Sequence, residues 1–152
     1  SAKSADKLDI VAFELDGALY GSEIGYVEEV VKPHEITFLP HLPDFVMGII
    51  SLRGEMIITL DLKTRLGLPS PCMEFARMLI VESRGFKVAL TVDRMAGIRD
   101  VSARLEPVIE EETEEGLRYV KGLTSDDGLV IKVLDMNKLI DSRSLAGTGT
   151  DG

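Results

Sequence analysis

The sequence predicts an all-β chain of two small barrels, each of about five strands, with helix as the minority component. Three observations carry that expectation: short runs of alternating apolar residues, glycine-containing turn dipeptides at their ends, and a pattern that occurs twice. Leu8 to Leu15 comes first, with Val11, Phe13 and Leu15 on one face of an extended segment, and Asp16-Gly17 follows as a type I′ hairpin signal. The same grammar returns at Met56 to Leu60 after Gly54, at Met78 to Glu82, at Phe86 to Val92 after Arg84-Gly85, and at Leu129 to Leu134 after Asp127-Gly128. Two segments read as helices, each opened by an aspartate able to cap the first turn: Asp61 to Leu66, stopped by Gly67 and Pro69, and Asp135 to Ile140.

The repetition is legible residue by residue. Gly48, Gly54 and Asp61 recur as Gly122, Gly128 and Asp135 at an offset of 74, with Ile57 on Ile131, Leu60 on Leu134, Leu62 on Met136 and Leu66 on Ile140. A second alignment, offset by 68, sets Gly17 on Gly85, Ile24 on Val92, Val27 on Met95 and Val30 on Ile98. Each copy is too short to bury a core as an open sheet, so the expected solution is a barrel closed by its own hydrogen bonding. Two barrels side by side leave a groove, a common place for a ligand or partner.

Composition excludes several function classes. At 152 residues, 45% hydrophobic and 28% charged, the chain is long enough to bury a core without metal or disulfide staples. Its net charge of −9 repels nucleic acid and anionic lipid, which leaves proteins or cations as partners. The longest apolar stretch, Phe45 to Leu52, is far short of the roughly 20 residues of a membrane helix, so no membrane insertion is expected. The single cysteine, Cys72, fits a reducing compartment as a small apolar residue, and the start of the chain lacks a signal-peptide h-region, so the expected location is the cytoplasm. The run Glu110, Glu111, Glu112, Glu114, Glu115 reads as a solvated loop or exposed turn.

No catalytic equipment emerges from the motifs. His34 and His41 have no metal-ligand spacing, and GxGxxG, GxxxxGK[ST] and GxSxG are absent, so no enzyme activity, cofactor or metal is expected. Asp61 and Asp135 occupy matched helix starts, which makes them caps rather than paired catalytic acids. Arg53 ends an apolar strand just before Gly54, where its guanidinium can project from a hairpin and fork onto a partner carboxylate. Glu28 and Glu29 alternate with Val27, Val30 and Val31.

The blocks Val27-Glu28-Glu29-Val30, Ile36 to Pro40, Phe45 through Ser51-Leu52-Arg53-Gly54, and Ile57 to Leu62 resemble the CheW family of bacterial chemotaxis coupling proteins. The likeness continues through Val92-Asp93, Tyr119-Val120-Lys121-Gly122 and Asp126 to Ile140, so it covers most of the chain. Ser51 in place of asparagine, Thr59 in place of an apolar residue, and Met95-Ala96-Gly97 depart from the usual pattern. The resemblance implies two tandem five-stranded SH3-like β-barrels within one domain over 8–141. Its pseudo-repeated halves are expected at about 17–75 and 76–141, with the N-terminal strand free to join either and disordered tails at 1–7 and 144–152. It further implies an adaptor that couples the cytoplasmic tips of transmembrane chemoreceptors to the regulatory domain of the histidine kinase CheA, recruited to membrane receptor arrays. By position, Val27 and Glu29 match a kinase-facing motif, Gly48 and Arg53 match coupling positions, and Gly122 matches a further sensitive glycine. Alternatives are a metabolite sensor using the inter-barrel groove and a domain excised from a CheV or CheA protein. Arg53→Glu and Gly48→Asp are both expected to weaken partner binding with the fold intact.

Overall fold

The computed structural model describes residues 6–69, 74–108 and 115–145. The strands in chain order are β1 (Lys7–Leu15), β2 (Ala18–Glu23), β3 (Val27–Val31), β4 (Val46–Leu52), β5 (Glu55–Leu60), β6 (Arg77–Ser83), β7 (Phe86–Val92), β8 (Arg94–Ser102), β9 (Val120–Asp126) and β10 (Leu129–Leu134). Three one-turn α-helices accompany them among the described residues: α1 (Leu62–Arg65), α2 (Met136–Leu139) and α3 (Ser142–Leu145). Asp61 caps α1 by accepting the Thr64 N–H at 3.3 Å, and Asp135 caps α2 by accepting that of Lys138 at 3.2 Å, as the spacing predicts.

The strands make two five-stranded sheets, ordered β8-β1-β2-β10-β9 and β3-β6-β7-β5-β4. Advancing every strand number by five turns one order into the other, so the sequence repeat is also a repeat of topology. Its details agree. The tight turns at Asp16-Gly17, Arg53-Gly54, Arg84-Gly85 and Asp127-Gly128 all have positive φ at both central residues, the type I′ geometry that matches strand twist. The bulge that offsets Val46 and Gly48 against Leu60 and Thr59 recurs where Val120 and Gly122 meet Leu134 and Val133.

The sheets do not divide the chain at residues 75 and 76. β6 and β7 complete the sheet of β3, β4 and β5, whereas β1 and β2 join β8, β9 and β10. Each repeat therefore lends its first hairpin to the sheet made by the rest of the other repeat. Local sequence does not reveal this exchange, because a hairpin is specified by adjacent residues while its partner strands lie far along the chain. Each sheet has the five strands expected of it and closes through isolated bridges between its edges. β8 and β9, and β3 and β4, are sheet edges; among the described residues, the chain after β3 bridges to β4 at Thr37 and Ile49, and the chain after β8 bridges to β9 at Glu106 and Leu123.

The largest core fills the space between the sheets, where Phe13, Leu15, Leu60, Leu62, Leu79, Leu90, Leu134 and Leu139 pack together. A second cluster, including Ile50, Ile57, Met78 and Ile80, lies within one sheet, and a smaller one, Ile10, Val101 and Ile131, within the other. Two tail boundaries shift. Lys7 already pairs in β1, and Ser144 and Leu145 belong to α3, because Leu145 is an apolar residue that buries itself against the main core. Residues 1–5 and 146–152, Cys72 and the acidic run at 110–114 lie outside the described residues.

Candidate partner-binding site

β3 is an edge strand, and the bulge between Val27 and Glu29 opposite Val81 and Ile80 changes how its residues face. Val27 packs half-buried against the main core, while Glu28 and Glu29 reach the surface. Arg53 occupies the first central position of the β4–β5 turn with φ 49°, a left-handed conformation that costs an arginine roughly 1–2 kcal/mol. Its side chain is 68% exposed and forms an ion pair with Glu29, whose side chain is 31% exposed. The hairpin end and the edge strand thus present one charged pair outward.

A second network adjoins it. Lys87 of β7 pairs with Glu28 at 3.0 Å and Glu55 at 3.2 Å, so it links β3 to the β4–β5 hairpin across the sheet. Glu28 and Glu82 share a hydrogen bond, which holds Glu28 below and pushes Glu82 above the ordinary carboxylate range; Lys87 reinforces the first shift. Hydrogen bonds that it donates to Glu28 and then to Glu55 keep the Lys87 ammonium charged to higher pH than usual. Next to these charges, Val30 and Met56 are 40% and 67% exposed. Exposed apolar residues on the strands that carry these charges suit association with another macromolecule more than they suit catalysis.

The structure pairs Glu29 with Arg53 at the surface, packs Val27 of the same edge strand against the core, and gives the two glycines a different task. A Cβ on Gly48, whose φ is 149°, would sit 2.1 Å from the Thr37 carbonyl oxygen. A Cβ on Gly122, on β9 in the other sheet, would sit 2.6 Å from Leu105 Cβ. Both let the chain cross closely at the single bridge that joins each sheet's edges. Gly48→Asp therefore cannot leave the fold intact, contrary to the expectation from sequence. The roles of Lys87 and Glu55 depend on cross-strand register and are not legible in the sequence, whose one signal is Glu55 directly following Arg53-Gly54.

Comparison with known proteins agrees with this architecture. The model of the CheW-like domain matches residues 9–144. The chain is 26% identical to the chemotaxis protein CheW of Thermotoga maritima, over 92% of either sequence. It is 29% identical to CheW of Treponema pallidum, covering 95% of this chain and 88% of that one. The crystal structure of the scaffolding protein TtCheW from Thermoanaerobacter tengcongensis superposes with a TM-score of 0.79 at 33% identity, covering 90% of this chain and 94% of the other. With the family model spanning most of its length and the twin-sheet fold shared with a solved relative, the chain belongs to the CheW-like family of chemotaxis scaffold proteins.

Proposed function

We propose that this protein is a non-enzymatic adaptor that couples the cytoplasmic tips of chemoreceptors to the regulatory domain of the histidine kinase CheA in membrane-associated arrays. The observation that carries the reading is the Glu29–Arg53 ion pair, held outward by an edge strand and a strained hairpin turn, with Val30 exposed on the same strand and Met56 exposed on β5 just after the turn. Val27 and Glu29 supply the strand edge, and Arg53 supplies a fork for a partner carboxylate once Glu29 is displaced or shared. Gly48 and Gly122 act indirectly, by keeping the neighbouring crossings tight enough to fix the surface. Single contacts of modest affinity suffice, because an array multiplies them through high effective concentration.

The test is co-purification with the regulatory domain of CheA from the same organism, followed by titration of an Arg53→Glu variant. At this exposed turn the substitution preserves the circular dichroism spectrum and lowers affinity about tenfold or more, as expected when an interface charge meets its partner with the wrong sign. Undiminished binding by a folded Arg53→Glu protein removes Arg53 from the interface. Failure of the unsubstituted chain to co-purify with the kinase domain refutes the coupling role itself.

A further inference from the structure

Because the fold repeats, each polar contact in one half can be compared with its equivalent in the other, and one pair does not match. At one end of the boundary between the sheets, Lys63 of α1 is almost buried and pairs with Asp16 of the β1–β2 turn and with Asp93, both at 2.9 Å. The offsets of 68 and 74 carry Asp16 onto Arg84 of the β6–β7 turn and Lys63 onto Asn137 of α2. Asn137 meets Ser83 at 2.5 Å, so this second contact is neutral. The turn above it bears a cation where the first turn bears an acid.

Further cations converge on the same place. Arg84, Lys138 and Arg143 line a cleft of about 340 Å³ whose walls include Phe86 and Ile140, and Asp141 is the sole acid among the described residues lining it. Three cations against one acid is a local reversal in a chain of net charge −9. Asp141 meets Arg143 at 3.8 Å, and that guanidinium is 93% exposed, so their attraction is weak. Arg84 also sits at φ 54°, a left-handed position that aspartate tolerates far better than arginine, as its counterpart Asp16 at φ 52° illustrates. A residue held there against its backbone preference serves through its side chain.

We propose that this cleft receives a side-chain carboxylate from an acidic segment of a protein partner. At the closed end, the same architecture is completed by carboxylates borne on a polypeptide, Asp16 and Asp93; at the open end the cations are in position and the acid comes from another chain. Phe86 and Ile140 offer an apolar wall for the methylene stem of a glutamate, while Arg84 and Lys138 neutralise its head. The cleft shares no residue with the Glu29–Arg53 surface and does not depend on the coupling role proposed above.

The isotope-labelled full chain is titrated at constant ionic strength with acetylated, amidated tetraglutamate, with sodium phosphate, and with the matching tetraserine. Tetraglutamate should shift the amide resonances of Arg84, Lys138 and Arg143 to saturation and leave those of Asp16 and Lys63 in place, while tetraserine shifts none. Arg84→Asp writes the acid of the closed end into the open one: peptide affinity should fall at least tenfold with no drop in melting temperature. Lys138→Gln, which adds no new pair, should weaken the peptide severalfold. A response to phosphate without one to tetraglutamate overturns the proposal in favour of a free oxyanion. Shifts spread evenly over surface lysines, unchanged peptide affinity in Arg84→Asp, or a lowered melting temperature in that variant each overturn it too.

Discussion

Thr59 lies fully buried in β5, and its Oγ1 has no hydrogen-bond partner among the described residues. A buried hydroxyl left unsatisfied costs about 1–3 kcal/mol, and valine has the same branched shape without the polar atom. Thr59→Val should therefore raise the stability by about 1 kcal/mol or more, read as a higher urea midpoint at unchanged slope. A lowered midpoint would mean that the hydroxyl is bonded after all. Sequence already marks Thr59 as unusual, since a polar residue interrupts an apolar strand, but burial on both sides follows only from the sheet position between β4 and β7. Arg53 was equally legible from its place before Gly54, whereas its partner Glu29, 24 residues away, needed the three-dimensional fold. Gly48 shows the reverse case: the family resemblance marks its position, and its physical reason, a carbonyl at the place a Cβ would occupy, lies in the Thr37 crossing.

At the scale of elements, short helices of four residues persist here because caps and tertiary contacts hold them. α1 is fastened by Lys63, whose ammonium loses hydration on burial yet stays charged beyond the usual lysine range, because hydrogen bonds to Asp16 and Asp93 outweigh that penalty. A raised lysine pKa in the folded state stabilises the protein fully below the unfolded value near pH 10.4, and the contribution disappears as pH climbs through the folded value. Lys63→Met should accordingly cost on the order of 2–4 kcal/mol at pH 7, since two acids then face each other without their cation, and should flatten the loss of stability above pH about 10. Equal alkaline slopes for the two proteins would show that Lys63 is not the titrating clasp. α1 also carries Arg65, whose guanidinium donates to the Leu139 carbonyl at 3.1 Å and lies over the rings of Phe45 and Tyr119 at 4.1 and 4.8 Å. Those two rings are equivalent under the offset of 74, as are Arg65 and Leu139, so this one arginine occupies the place where the two repeats meet. The hairpins and capped helices were readable because each depends on a few adjacent residues. The clasp was not, because it joins residues from three separate parts of the chain.

For the whole molecule, the decisive feature is that neither sheet belongs to one half of the sequence. β1 and β2 hydrogen-bond to β8 and β10, while β6 and β7 hydrogen-bond to β3 and β5. The main core likewise mixes Phe13, Leu15, Leu60 and Leu62 from the first repeat with Leu79, Leu90, Leu134 and Leu139 from the second. A cut between the repeats would sever one peptide bond but none of these four ladders, and each separated fragment would expose four unpaired strand edges and half of a core. A protease site introduced at 70–73 and then cleaved should therefore leave a protein that elutes as one species, keeps its circular dichroism spectrum, and separates into two fragments only in denaturant. Unfolding of the nicked form should become dependent on protein concentration, because the reaction now releases two chains. Fragments that part under native conditions would contradict the interleaved sheets and restore the tandem division expected from sequence. The exchange also explains how an adaptor of this size can hold separated surfaces in fixed relation: the Arg53 turn and the Arg84 turn lie on hairpins from different repeats, yet β5 and β7 pair directly, so neither turn can shift without straining the sheet common to both.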